Sequence, residues 1–391
     1  MLNFNYYSPT EFIFGKDTEY KVGEMIKKQR AKKVLIHYGS GSIKRSGLLD
    51  RVIKSLEENK IEYIELGGVV PNPRDALVYK GIELCLQEKV NFILAVGGGS
   101  VIDSAKAIAM GVKYNGDFWD MFEDATKIKK ALPVGVILTI PAAGSEGSAA
   151  TVITKTKGML KRVVYSDYIR PVFSIVNPEL TYTLPNYQTA AGVVDMISHI
   201  LERYLTKTKD VILTDRLCEA TLISIIEAMN IILEEPTNYS ARSTICWAGT
   251  IAHNGSLGVG RLEDWASHRL EHELSALYDV THGAGLAVIF PAYMRYTVNE
   301  DVQRFRRLAV KVFNIKDNKR KPLKVAMAGI KALENFFKKL KMPTTFKDIE
   351  AKEEDIDILL EKLKINCGEK VGNFKGLSME DARNVYELAC R

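Results

Sequence analysis

The stretch NFILAVGGGSVIDSAK, residues 91–106, decides the fold. NFILAV is a short apolar run of the kind that forms a buried strand, three glycines follow, and SVIDSAKAIAMGVK then takes up helical apolar spacing. Working outward, the same alternation recurs. KVLIHY (33–38) leads into the amphipathic SIKRSGLLDRVIKSLEE, IEYIEL (61–66) into RDALVYKGIELCLQEK, and LPVGVILTI (132–140) closes the series. Strands and helices alternating at this spacing predict a Rossmann-like parallel sheet with helices on both faces. Ahead of it YYSPTEFIFG reads as a small β arm. After it TVITKTKGMLKRVVYS (151–166) reads as a polar hairpin and PVFSIV (171–176) as one more strand.

From about Leu184-Pro185 onward the apolar spacing is mostly helical, as in VILTDRLCEATLISIIEAMNIILEE (211–235) and RLEDWASHRLEHELSAL (261–277). With 391 residues the chain exceeds one ordinary core. Two domains are therefore expected, an α/β dinucleotide-binding domain over 1–184 and an all-helical domain over 185–391.

Composition narrows the function classes. No run reaches the ~18–20 apolar residues of a membrane helix, and the start, MLNFNYYSPTEF, has neither a basic nor an apolar leader region, so a cytoplasmic protein is expected. The five cysteines form no CxxC, which argues against a disulfide framework and a thiolate zinc cluster. The formal charge of +6 lies in short runs such as KIKK (127–130) and KDNKRK (316–321) without interleaved aromatic residues, which speaks against a nucleic-acid partner. It suits an anionic cofactor equally well.

Glycines at a strand-to-helix turn let the backbone approach a phosphate, and the helix N-terminus adds free N–H groups and partial positive charge. VGGGS (96–100) is such a turn, although it is not GxGxxG. HYGSGS (37–42) occupies the same position after the first strand, and PAAGSEGS (141–148) follows LPVGVILTI. Three small-residue loops at the carboxyl ends of parallel strands predict a dinucleotide site. The loop after the first strand offers Gly39, Ser40, Ser42 and Lys44 and no acid to reject a 2′-phosphate, which leans toward NADP over NAD.

Four of the six histidines fall between 253 and 282. Asp195 and His199 share a helical face, and so do His268 and His272; His282 follows a turn. Any of these residues alone reads as readily as a core hydrogen-bonding group. An ionised Asp within an apolar helix needs a partner, however, and a cation provides one. A carboxylate with several imidazoles and no thiolate suits Fe2+, Zn2+, Mn2+ or Co2+ and leaves a position for a substrate oxygen.

GGGSVIDSAK (97–106), AGSE (143–146), AAGVVDMISHILERY (190–204) and DWASHRLEHELSALYDVTHGAGLAV (264–288) resemble, in order, the iron-containing (group III) alcohol dehydrogenase family, in its butanol dehydrogenase and NADPH-dependent aldehyde reductase branch. The resemblance implies the dehydroquinate synthase-like fold, with an α/β dinucleotide-binding domain and an all-helical metal-binding domain. It implies Asp195, His199, His268 and His282 as metal ligands, with Fe2+ before Zn2+. It implies His272 as a proton relay near the substrate, and Asp103 beside the nicotinamide as its catalytic companion. Gly98, Gly99 and Ser100 match the pyrophosphate loop, and Gly39, Ser40 and Ser42 the adenosine-side loop. Ser145 and Lys161 match residues facing phosphates and ribose, Thr139 joins the cofactor set, and Thr181, Thr183 and Leu184 match the adenine side. Two departures stand out: Ala143 replaces the common threonine, removing a hydroxyl near the phosphates, and Asp17 replaces a glycine in FGKG.

The expected chemistry is hydride transfer between a short-chain alcohol or aldehyde and a nicotinamide, at an oxygen polarised by the metal. The resemblance also implies a homodimer. Trp265 reads either as core or as part of the substrate pocket. A lyase of the dehydroquinate synthase type would need more basic residues than Arg261 and Arg269 in the segment 253–290, and a non-catalytic nucleotide or metal binder would show a broken ligand set.

Overall fold

The computed structural model describes residues 1–391 and shows two compact units. One comprises Tyr7–Leu184 with Pro236–Thr250; the other comprises Met1–Tyr6, Pro185–Glu235 and Ile251–Arg391. A single cut after Leu184 thus accounts for most of the partition, while residues 1–6 and 236–250 change sides. The reason for 236–250 is packing. Trp247 meets Phe12 and Phe14 edge-on, and Thr250 donates a hydrogen bond to the buried Glu146.

The first unit is built on eight strands, β1 (Glu11–Phe14), β2 (Lys33–Gly39), β3 (Glu62–Val69), β4 (Phe92–Gly98), β5 (Val134–Ile140), β6 (Ala150–Lys155), β7 (Leu160–Tyr165) and β8 (Phe173–Val176). Six of them form a sheet in the order β1-β8-β5-β4-β2-β3, every pairing parallel. β6 and β7 form the separate antiparallel hairpin. Two sequence expectations change. The supposed N-terminal arm is β1, the edge strand of the main sheet, paired with β8. The stretch 42–58 is two helices, Ser42–Arg45 and Leu48–Glu58, because Gly47 between them takes φ +69°.

β4 is buried along its whole length, and its neighbours β2 and β5 are buried over most of theirs, as strands covered on both faces must be. The chain leaves β2 toward β3 on one side and continues from β4 toward β5 on the other. The carboxyl ends of β2 and β4 therefore flank a topological switch point, where open α/β sheets bind ligands.

The second unit is helical. Its helices Asn186–Tyr204, Ala266–Tyr278 and His282–Thr297 carry the candidate metal residues. The segment 261–277 is helical only from Ala266, since Trp265 stands in a left-handed conformation. No helix of the chain is long and apolar enough to cross a membrane.

Candidate functional site

In the α/β unit, all the glycine-rich loops emerge from one edge of the sheet. Gly98, Gly99 and Ser100 follow β4; Gly39, Ser40 and Ser42 follow its neighbour β2; Thr139 ends its other neighbour β5; and Thr181, Thr183 and Leu184 follow β8. The helix Gly99–Gly111 has no side-chain cap at its start, so its first N–H groups face the turn, ready for an anion. Glycine is required here by close approach. A Cβ on Gly99 would lie 2.9 Å from Cβ of Ala143, and one on Gly98 would lie 2.8 Å from Ile140.

The structure places Asp103, Ser145 and Lys106 in one network behind this turn. Ser145 Oγ donates to Asp103 Oδ1 (2.6 Å), and the Val152 N–H donates to Asp103 Oδ2 (3.1 Å). Lys106 Nζ is surrounded by Ser145 O (2.7 Å), Ser145 Oγ (2.9 Å), Ser148 O (3.0 Å) and Ala150 O (2.9 Å). Burial raises the Asp103 carboxyl above its usual range, opposed by the Lys106 charge and the Ser145 hydroxyl, and lowers the Lys106 ammonium to about 8. The hydroxyl of Ser145 is thus engaged within the protein, and Asp103 serves the loop 145–152. Lys161 donates to Asn72 Oδ1 (3.0 Å), which brings in a residue following β3 that had no signal in the sequence.

Two further residues were missed. His37, fully buried in β2, spans three elements: Nδ1 lies 2.8 Å from Leu66 O on β3, and Nε2 lies 2.9 Å from Ser104 Oγ on the helix Gly99–Gly111. Glu65, on β3, reaches toward the adenosine-side loop from the neighbouring strand. It accepts from Tyr38 Oη (2.8 Å) and lies 3.6 Å from Lys44 Nζ.

In the helical unit, Asp195, His199, His268 and His282 come together. Asp195 Oδ1 lies 3.4 Å from His199 Nδ1, 3.9 Å from His268 Nε2 and 3.7 Å from His282 Nε2. Bonds of about 2.1 Å to a tetrahedral ion put its ligand atoms about 3.4 Å apart. Asp195, His268 and His282 offer ligand atoms that all lie within 4.8 Å of one another, the spacing of a donor set slightly open around one ion, and His199 stands beside them through its 3.4 Å approach to Asp195. Close helix packing brings it about. A Cβ on Gly283 would lie 1.9 Å from Ala191 O, and one on Gly285 would lie 2.5 Å from Glu271 Oε1, so the HGAG start of one helix can sit directly on the other two.

Two glutamates set the imidazole orientations. His268 Nδ1 bonds Glu202 Oε1 (2.8 Å), and His282 Nδ1 bonds Glu271. An imidazole that donates from Nδ1 to a carboxylate carries its lone pair on Nε2. In both rings Nε2 faces the Asp195 carboxylate, as the donor atoms of one cation site would. Burial, with His253 and His268 nearby, holds the His199 imidazole well below its usual value and hence neutral. The donor set fits a divalent metal. Burial pushes the Glu202 carboxyl up to about 8, opposed by N–H donors from His268 and Trp265.

Around this set stand three more aromatic rings. His272 lies 5.5 Å from His282 between ring centres; His253 lies 4.1 Å from His199; and Trp265 meets His199, His253 and His268 edge-on. His253, Glu202 and Glu271 were not anticipated. Glu202 follows His199 by three positions and Glu271 follows His268 by three, a spacing that puts each pair on one helix face and is the signal that was available.

Comparison with known proteins gives the family. The family model for iron-containing alcohol dehydrogenase matches residues 9–178, and that for the C-terminal part of the Fe-containing alcohol dehydrogenase family matches residues 189–390. A probable NADH-dependent butanol dehydrogenase 2 of Bacillus subtilis is 44% identical over 392 residues, covering 100% of both chains. The NADPH-dependent aldehyde reductase YqhD of Escherichia coli is 38% identical, again over 100% of both. The crystal structure of NADH-dependent butanol dehydrogenase A from Thermotoga maritima superposes with a TM-score of 0.97 at 41% identity, covering 100% of this chain and 99% of that one.

Proposed function

This chain belongs to the iron-containing alcohol dehydrogenase family, and from that premise we propose how its residues carry out NAD(P)-linked interconversion of short-chain primary alcohols, such as butanol, and their aldehydes. Asp195, His199, His268 and His282 hold a divalent metal, Fe2+ on the family resemblance, with Zn2+ the alternative. The observation that carries this reading is that Nε2 of His268 and Nε2 of His282 both face the buried Asp195 carboxylate while their Nδ1 atoms are held by Glu202 and Glu271. When bound, the metal supplies Lewis acidity to the substrate oxygen and the nicotinamide supplies or accepts the hydride.

The protein's own residues do the rest. Glu202 and Glu271 fix the rings of His268 and His282, so the lone pairs point inward without reorganisation. His272, against His282, exchanges the proton that accompanies hydride transfer. The turn Gly98–Ser100 with the start of its helix binds the pyrophosphate; Asp103 and Lys106 hold the adjoining loop against it; and Gly39, Ser40 and Ser42 receive the adenosine ribose. NADP(H) is the preferred form in this reading, because no acid stands in the loop itself and Glu65, on the neighbouring strand, is already engaged by Tyr38 and Lys44. The relatives named as NADH-dependent keep NADH as the alternative. A homodimer is proposed on the family resemblance.

Initial rates of butanal reduction by anaerobically purified protein, with NADH and NADPH side by side, test the reaction and the cofactor together. Turnover with NADPH ahead of NADH is expected, and no turnover with either sinks the reading. In His272→Ala an altered pH–rate profile is expected, and an unchanged one removes His272 from the relay.

A further inference from the structure

We propose that Trp265 is a positioning residue of the metal centre, its indole clamped against the imidazole cluster by a left-handed backbone. This rests on the metal site proposed above. Trp265 has φ +69° and ψ 9° at the residue preceding the helix Ala266–Tyr278. The other non-glycine residues with positive φ are Asp, Asn, Glu, Lys, Arg and Met, and Trp265 is the one aromatic among them. A bulky side chain in this region is an outlier that persists where its surroundings over-determine it, and such positions cluster at functional sites.

The surroundings here do so from four directions. The backbone N–H of Trp265 donates to Glu202 Oε2 (2.8 Å), the same carboxylate that orients His268. The indole Nε1–H donates to Glu263 Oε2 (2.6 Å). The Arg203 guanidinium lies 4.8 Å from the ring centre, pairs with Glu263 (3.1 Å), and donates to His199 O (2.8 Å). The ring edges meet His268 at 5.1 Å, His253 at 5.5 Å and His199 at 5.8 Å.

His199 is itself flanked by His253, tilted at 4.1 Å, and by His268, stacked at 4.7 Å. With the indole across their edges, His199 and His268 cannot turn about their side-chain bonds without displacing it. An extended backbone at 265 would swing the indole off this surface. The left-handed conformation is therefore what brings the ring to the cluster, and the four contacts hold it there. The indole fixes the rings that bind the metal without itself touching it.

The test titrates metal-free, full-length protein with Co2+ at 25 °C and reads both the dissociation constant and the visible ligand-field band, with circular dichroism confirming that each variant is folded. A side chain that only stabilises the fold lowers the melting temperature and leaves both readouts alone. Trp265→Leu should weaken Co2+ binding by on the order of tenfold or more and alter the band, as loss of an orienting neighbour does. Trp265→Phe, which keeps a ring, should stay within about threefold of wild type. Glu263→Gln, a milder change that loosens the indole, should shift the band in the same direction as Trp265→Leu and by less. A folded Trp265→Leu with wild-type affinity and band overturns the proposal, as does a Glu263→Gln band identical to wild type. Wild-type protein that takes up no cobalt overturns the ligand assignment and the role of Trp265 together.

Discussion

His37 makes the α/β unit acid-sensitive by a calculable amount. Its ring is fully buried in β2, and burial lowers its pKa to about 4 from the usual 6.5, opposed by the carbonyl of Leu66. Between those values the unfolded chain holds the proton and the folded one does not, so stability falls as pH falls through the window. The loss is about 2 kcal/mol at pH 5 and about 3 kcal/mol at pH 4. His37→Asn keeps an amide N–H for Leu66 O, cannot titrate, and leaves the Ser104 hydroxyl without its ring acceptor, at about 1 kcal/mol. Wild type should thus be more stable than the variant by about 1 kcal/mol at pH 7 and less stable by a similar amount at pH 5. Urea unfolding of both proteins across this range, followed by far-UV circular dichroism, reads the difference directly. Everything the two proteins share, the metal site included, cancels in that difference. A gap that stays constant from pH 7 to pH 5 would show that burial of His37 does not exclude its proton.

Other outcomes follow from the same geometry. Gly99→Ala should raise the dinucleotide dissociation constant, because its Cβ meets Ala143, and the double variant with Ala143→Gly should recover most of the loss; isothermal titration with NADPH checks both. Lys106→Met strips four oxygens of their shared donor and should cost on the order of 3 kcal/mol in urea unfolding, with weaker dinucleotide binding. Glu202→Gln removes the carboxyl oxygen arrangement that orients His268 and should lower metal affinity by about 10–100-fold, measured by competition with a chelator.

Much of this was legible in the sequence, and the exceptions share a cause. β4 and its glycine turn announce themselves because run, turn and helix are contiguous. β1 did not read as part of the sheet, since EFIF is short and its partner, Phe173–Val176, lies some 160 residues away. The start of the helix at Ala266 was misplaced because the conformation of Trp265 is set by Glu202, Glu263 and Arg203, none of which local periodicity reports. Asp195, His199, His268 and His282 were visible through their spacing and the family resemblance. Glu202 and Glu271 were not, because a glutamate on a helix reads as a solvent-facing charge until a packed neighbour shows otherwise. Asp103 on the helix after the glycine turn and Ser145 on the loop after β5 were singled out as facing the cofactor, but their hydrogen bonds to each other and to Val152 turn inward to hold the loop, a distinction that only side-chain geometry reveals.

In the proposed site Asp195 anchors the metal on which the chemistry depends, while dinucleotide binding belongs to the loops of β2, β4 and β5. Metal content and NADPH affinity measured on the same preparations of wild type and Asp195→Ala test it most directly. About one metal ion per wild-type chain is expected, bound through the Asp195 donor set, and the variant should lose both metal and butanal reduction while keeping its NADPH affinity. An Asp195→Ala protein that retains its metal would contradict it.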